Sequence, residues 1–135
     1  MPADPDFVVE KWSVYSGEFF YGYHKIIIVY EYGDDIRYFI VTSQIEKAEK
    51  RSLYDPASLV KIDPLEWDKL TCPSCIECSR RNLQEIPKDK LKRFHDARFA
   101  KYKGKLPDIV RKKIIDAINA SVTYSESEKQ KLTKE

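Results

Sequence analysis

Two apolar runs on either side of a glycine turn constrain this chain more than anything else in it. His24 to Tyr32 is β-branched and aromatic, Gly33-Asp34-Asp35 is turn chemistry, and Ile36 to Thr42 is a second run of the same kind. Runs of this composition around a Gly-Asp turn specify a β-hairpin, and their nearly unbroken apolar centre calls for burial on both faces. The other elements have to be arranged around it.

Shorter strands flank the hairpin. Phe7 to Val14 alternates loosely and reads as a first strand, followed by an aromatic segment, Gly17 to Tyr23, whose two glycines suggest a loop or a bent strand. Gln44 to Ser58 is polar and reads as a surface loop or one exposed helical turn. Leu59 to Asp63 is a short strand closed by Pro64, Leu65 to Leu70 is irregular, and Ser74 to Ser79 and Asn82 to Ile86 are further strands. The period then changes. From Pro87, which a first helical turn tolerates, Leu91, His95, Phe99 and Tyr102 fall at helical spacing with Phe94 beside them. Pro107-Asp108 opens a second helix with apolar positions Leu106, Val110, Ile114, Ala117 and Ile118. Strands first and helices after give an α+β class. The expected organisation is a lead over residues 1–6, one domain over 7–122, and a charged tail over 123–135 that frays.

Composition narrows the function classes. With 135 residues the chain has room for one domain with a real core. Basic residues number 24 against 22 acidic, so the net charge of +2 excludes a strongly basic nucleic-acid coat but not a local patch. No stretch is apolar enough to span a bilayer. The acidic start, Met1 to Asp6, lacks the basic and apolar regions of a signal peptide, and three cysteines make an odd number. Both observations point to a reducing, cytoplasmic setting.

All three cysteines lie in Thr71-Cys72-Pro73-Ser74-Cys75-Ile76-Glu77-Cys78. A zinc knuckle needs four ligands, and the fourth would have to come from His24, His95 or a distant carboxylate. Ile76 stands where a knuckle would turn, and it favours a strand. Strand parity would put Cys72 and Cys78 on one face and Cys75 on the other, so three thiolates would not converge. The reading is buried structural cysteine, with no metal and no cofactor. His95, on the apolar stripe of its helix, reads as a core residue.

Three blocks in order resemble the MazF/PemK-like toxin family of small ribonucleases. They are Gly22-Tyr23-His24-Lys25 with the apolar run after it, Ile40-Val41-Thr42-Ser43, and Pro73-Ser74-Cys75-Ile76-Glu77-Cys78 with the later Ile86-Pro87-Lys88-Asp89-Lys90-Leu91. Together they cover roughly residues 15 to 95. His24-Lys25 stands where the family has arginine-proline, and the second C-terminal helix and the tail extend past the usual family length. The resemblance implies a small SH3-like β-barrel with C-terminal helices and a homodimer. It also implies an antitoxin partner and metal-independent cleavage of single-stranded RNA by 2′-hydroxyl attack on the adjacent phosphate.

Carried over by that resemblance, His24 is the base or acid, because an imidazole ionises near neutral pH. Thr42 and Ser43 donate to phosphate, and Lys25 replaces the guanidinium as the phosphate cation. Tyr21, Tyr23 and Ser74 complete the substrate contacts. Spacing supports part of this independently. With the turn near Asp34, antiparallel pairing brings His24 and Thr42 together at the open end of the hairpin. Two alternatives stand beside this reading. One is a non-catalytic barrel that binds RNA or a partner protein, with the 15–23 aromatics stacking on bases. The other is a small zinc-binding domain through Cys72, Cys75 and Cys78.

Overall fold

The hairpin forms as the sequence requires. Strand β2 (Tyr23–Tyr32) pairs antiparallel with β3 (Asp35–Thr42) across a turn in which Gly33 adopts φ 59°. Ile26, Ile27, Ile28 and Val29 are fully buried. Each such side chain contributes roughly 2 kcal/mol of apolar transfer free energy. The ladder slips by one residue between Ile28 and Tyr30. This bulge lets Val29 and Tyr30 both pack on the same side of the sheet.

The computed structural model describes residues 7–18 and 22–134. The remaining strands are β1 (Ser13–Glu18), β4 (Leu59–Ile62), β5 (Ser74–Glu77), β6 (Gln84–Pro87) and β7 (Ala100–Lys105). The helices are α1 (Ile45–Arg51), α2 (Lys88–Asp96), α3 (Asp108–Ala120) and α4 (Glu126–Thr133). Among the described residues the seven strands make one antiparallel sheet in the order β4-β5-β3-β2-β1-β7, with β6 also pairing β3. The class is α+β, as expected. The sheet is open, however, because β4 and β7 end it without pairing each other.

Two cores follow from the double burial of the hairpin. On one side, α3 lays Val110, Ile114 and Ile118 in one core with Ile27, Phe39 and Ile76, together with the buried Trp12 and Trp67. On the other, α2 brings Leu91 onto Tyr15, Ile26, Ile28, Ile36 and Tyr38. His95 is a core residue here, 4% exposed, its ring 5.2 Å from that of Phe7. Burial pushes the Tyr38 hydroxyl up to about 12. A buried carboxylate ties the ends of the helical side together. Asp55 accepts from the Ser121 and Thr123 hydroxyls and from the Val122 amide, just past the end of α3.

Three expectations are corrected. The first strand begins at Ser13, not Phe7; the segment before it is held by the Tyr15 hydroxyl, which accepts from the Val8 amide at 2.8 Å. The first long helix stops at Asp96. Arg98 takes φ 67°, its amide donates to the His95 carbonyl, and the Phe99 amide donates to the Phe94 carbonyl. That pair of bonds is a Schellman cap, with arginine where glycine is usual. Phe99 and Tyr102 therefore leave the helix, and Tyr102 sits in β7 opposite Tyr15. Within the expected tail, Glu126–Thr133 is helical. Ser125 and Glu128 form a reciprocal capping box that starts α4, and Leu132 is buried in the helical-side core.

Gly17 is fixed by close approach: a Cβ there would lie 1.7 Å from the Phe99 carbonyl oxygen. Gly17→Ala should cost about 3 kcal/mol or more, because backbone must move; urea unfolding measures it. Replacing Ser125 with Ala should cost about 1 kcal/mol. Glu128 is held below the usual carboxylate range by the Ser125 amide and by Arg80. Its contribution is therefore present above the unfolded-state pKa and lost as pH falls through the lower folded value. Thermal melts from neutral to acid pH should show the Glu128→Ala penalty shrinking as Glu128 protonates, because its carboxylate accepts from the Ser125 amide.

Candidate functional site

The end of β3 sets up a cleft. Past the bulge Lys25 faces Val41, so the next step of the same ladder sets His24 opposite Thr42. The Thr42 hydroxyl accepts from the Gln44 amide at 3.1 Å, which ends the strand and turns the chain into α1. Because that hydroxyl is the acceptor, its own proton is available to donate.

Helix α1 then brings Arg51 over β5. The guanidinium donates from Nε to Glu77 Oε1 at 3.1 Å and from Nη2 to Oε2 at 2.8 Å, a bidentate pair, and the Ser52 hydroxyl donates to the same carboxylate. Glu77 is the last residue of β5, its side chain only 12% exposed. Beyond β5, the Asn82 amide donates to the Ser79 hydroxyl at 2.8 Å, and Asn82 and Gln84 close the remaining side.

The result is a polar cleft of about 440 Å³. The ends of β2 and β3 line it with Tyr23, His24, Ile40, Val41 and Thr42, and Ser43, Gln44, Arg51, Glu77, Asn82 and Gln84 complete the lining. The volume suits a nucleotide-sized group. An imidazole, a carboxylate, a guanidinium and two hydroxyls here share one solvent-facing space. Proton transfer and the holding of an anion can both be carried out within it.

Of the residues singled out from the sequence, Tyr23, His24, Thr42 and Ser43 line this cleft. Lys25 does not; its ammonium lies over the Trp67 ring, 5.8 Å from the centroid, on the opposite face of the sheet. Ser74 is buried at the start of β5 and donates to the Cys72 carbonyl at 3.1 Å. Tyr21 lies outside the described residues, as do Phe19 and Phe20. Arg51, Glu77, Asn82 and Gln84 were missed. Arg51 was one cation in a polar run, and Glu77 was hidden by the cysteines on either side of it.

The three thiols are dispersed. Cys72 is exposed before β5, Cys75 is buried within it, and Cys78 is packed in the helical-side core. Among the described residues no three His, Cys, Asp or Glu side chains are grouped to hold a metal. Burial, with Glu77 nearby, pushes Cys75 up to about 11, and burial raises Cys78 well above the ordinary thiol range. A thiol reagent at mildly alkaline pH should therefore label Cys72 quickly, and Cys75 and Cys78 only on unfolding. Cys72→Ser should remove the fast phase, read by mass spectrometry.

No helix among the described residues is long and apolar enough to cross a membrane. Compared with protein-family models, curated proteins and solved structures, the chain has no significant match in any of the three.

Proposed function

We propose that this protein is a metal-independent endoribonuclease that cleaves single-stranded RNA in the His24–Thr42 cleft. The observation that carries the reading is the convergence of His24, Thr42, Ser43, Arg51 and Glu77 on one cleft. Cleavage by 2′-hydroxyl attack needs a base for that hydroxyl, an acid for the departing 5′-oxygen, and donors for the non-bridging phosphate oxygens. His24 and Glu77 are the two proton carriers. Thr42, Ser43 and the N–H groups of Arg51 not engaged by Glu77 receive the phosphate. The exposed ring of Tyr23, 68% accessible, offers a flanking base a stacking surface. The new O2′–P bond forms as the P–O5′ bond breaks, leaving a 2′,3′-cyclic phosphate and a 5′-hydroxyl.

The SH3-like barrel, the homodimer and an antitoxin that fills the cleft belong to the same reading and rest on the resemblance to MazF/PemK-like toxins; a cytoplasmic setting is in keeping with the odd number of cysteines. In this chain Arg51, from α1, takes the phosphate role first expected of Lys25.

The test is cleavage of a labelled single-stranded RNA by the purified protein, with the products checked for cyclic phosphate. His24→Ala should lower the rate about 100-fold or more while circular dichroism stays native. Glu77→Gln should also lower it, and Arg51→Lys should do so through loss of the bidentate fork. Equal rates for His24→Ala and the parent would overturn the reading. Intact RNA that nevertheless binds, with affinity falling as salt rises, would establish the non-catalytic module instead.

A further inference from the structure

Lys25 leads to a second site. In the β7-β1-β2 part of the sheet, Lys101, Ser16 and Lys25 are register partners in one row, so their side chains share a face, the one opposite His24. Lys103 lies two residues further along β7, where the register with β1 shifts, and Lys69 comes from the segment before β5 that also supplies Trp67. Lys103 and Lys69 are both near enough to add to the burial that already pushes the Lys25 ammonium below its usual range, against an opposing contribution from Tyr23.

Among the described residues no carboxylate forms an ion pair with any of these four lysines. Glu10 pairs with Lys105 and Glu66 with Lys113, and Glu18, two residues from Ser16 on the same face of β1, pairs with none of the four. At the centre of the row the Ser16 hydroxyl is 1% exposed and has no hydrogen-bond partner among the described residues. Lysines on an edge strand guard against unwanted strand pairing, which accounts for Lys101 and Lys103. It does not account for Lys25, half-buried on the interior strand β2, or for an unsatisfied hydroxyl beneath it.

We propose that Lys25, Lys69, Lys101 and Lys103 bind successive backbone phosphates of the RNA strand whose scissile nucleotide occupies the cleft. The strand's identity rests on the ribonuclease reading; the anion chemistry of the patch does not. Lys25 and Lys101 are separated by a whole strand, about 10 Å between backbones. A run of phosphates matches ammoniums spread across three strands and the segment before β5, whereas one small anion would engage only part of that row. Lysine ammoniums are point charges, which suits contact with phosphates irrespective of sequence. His24 and Lys25 are adjacent on β2, so the cleft and the patch lie on opposite faces of the same stretch of sheet, beside the exposed Tyr23.

Binding of a fluorescent single-stranded RNA by His24→Ala protein, measured across a salt series, tests this. Adding Lys69→Gln, Lys101→Gln and Lys103→Gln should weaken binding about tenfold or more at low salt and flatten the log–log salt slope by about 2. These are surface changes that should leave the melting temperature nearly unchanged. If the parent binds RNA and the triple variant matches its affinity and slope, the patch is wrong and the ribonuclease reading stands. If the parent binds no RNA, the ribonuclease reading fails and the strand assignment fails with it. If inorganic phosphate binds the parent but not the triple variant while both bind RNA equally, the patch is a free-phosphate site and the strand assignment is overturned.

Discussion

Everything in this molecule hangs on the pairing of β2 with β3 and on the bulge at Val29. The two strands are buried on both faces, so each face acquires its own apolar layer, α3 with α4 on one side and α2 on the other. The bulge sets the register of the open end. Without it, the ladder that pairs Tyr32 with Asp35 would carry His24 opposite Ser43; with it, Lys25 meets Val41 and His24 faces Thr42. Because side chains alternate along a strand, one residue of slip decides which groups enter the cleft and which lie on the far face. His24 and Lys25, adjacent in sequence, therefore serve opposite sides of the sheet.

How much of this could be read from sequence depends on how local the determining physics is. The hairpin was legible because composition and turn chemistry agreed over nearly twenty consecutive residues. The apolar stripe of α3 was legible for the same reason, and all of Leu106, Val110, Ile114, Ala117 and Ile118 are buried. The end of α2 was not. Arg98 caps it in a conformation usually marked by glycine, so the helical spacing seemed to run on through Phe99 and Tyr102. Helix α4 was also hidden, because its polar sequence carries one core residue, Leu132, and its capping box sits in what reads as a charged tail.

The candidate site divides along the same line. Tyr23, His24, Thr42 and Ser43 could be found from hairpin geometry and from the resemblance together. Arg51 and Glu77 could not, because they meet only when α1 folds back over β5, a contact between residues 26 apart. The cysteines drew attention to the right segment for the wrong chemistry. Their strand matters for Glu77 at its end, whereas Cys75 and Cys78 pack as small apolar side chains in a region where burial keeps both thiols protonated.

The order in which the ribosome releases this chain bears on one further feature. Strand β1 is interior in the finished sheet, yet its second neighbour, β7, arrives more than eighty residues later, with Ser13 opposite Lys105. During synthesis the hairpin and β1 can assemble early, leaving β1 with a bare row of backbone donors and acceptors until β7 emerges. The closing strand comes late and carries three lysines in six residues. Charge of that kind discourages β7 from joining the edge of another chain before it reaches its own. The same residues proposed to hold RNA on the mature protein would thus also protect the nascent one from aggregation.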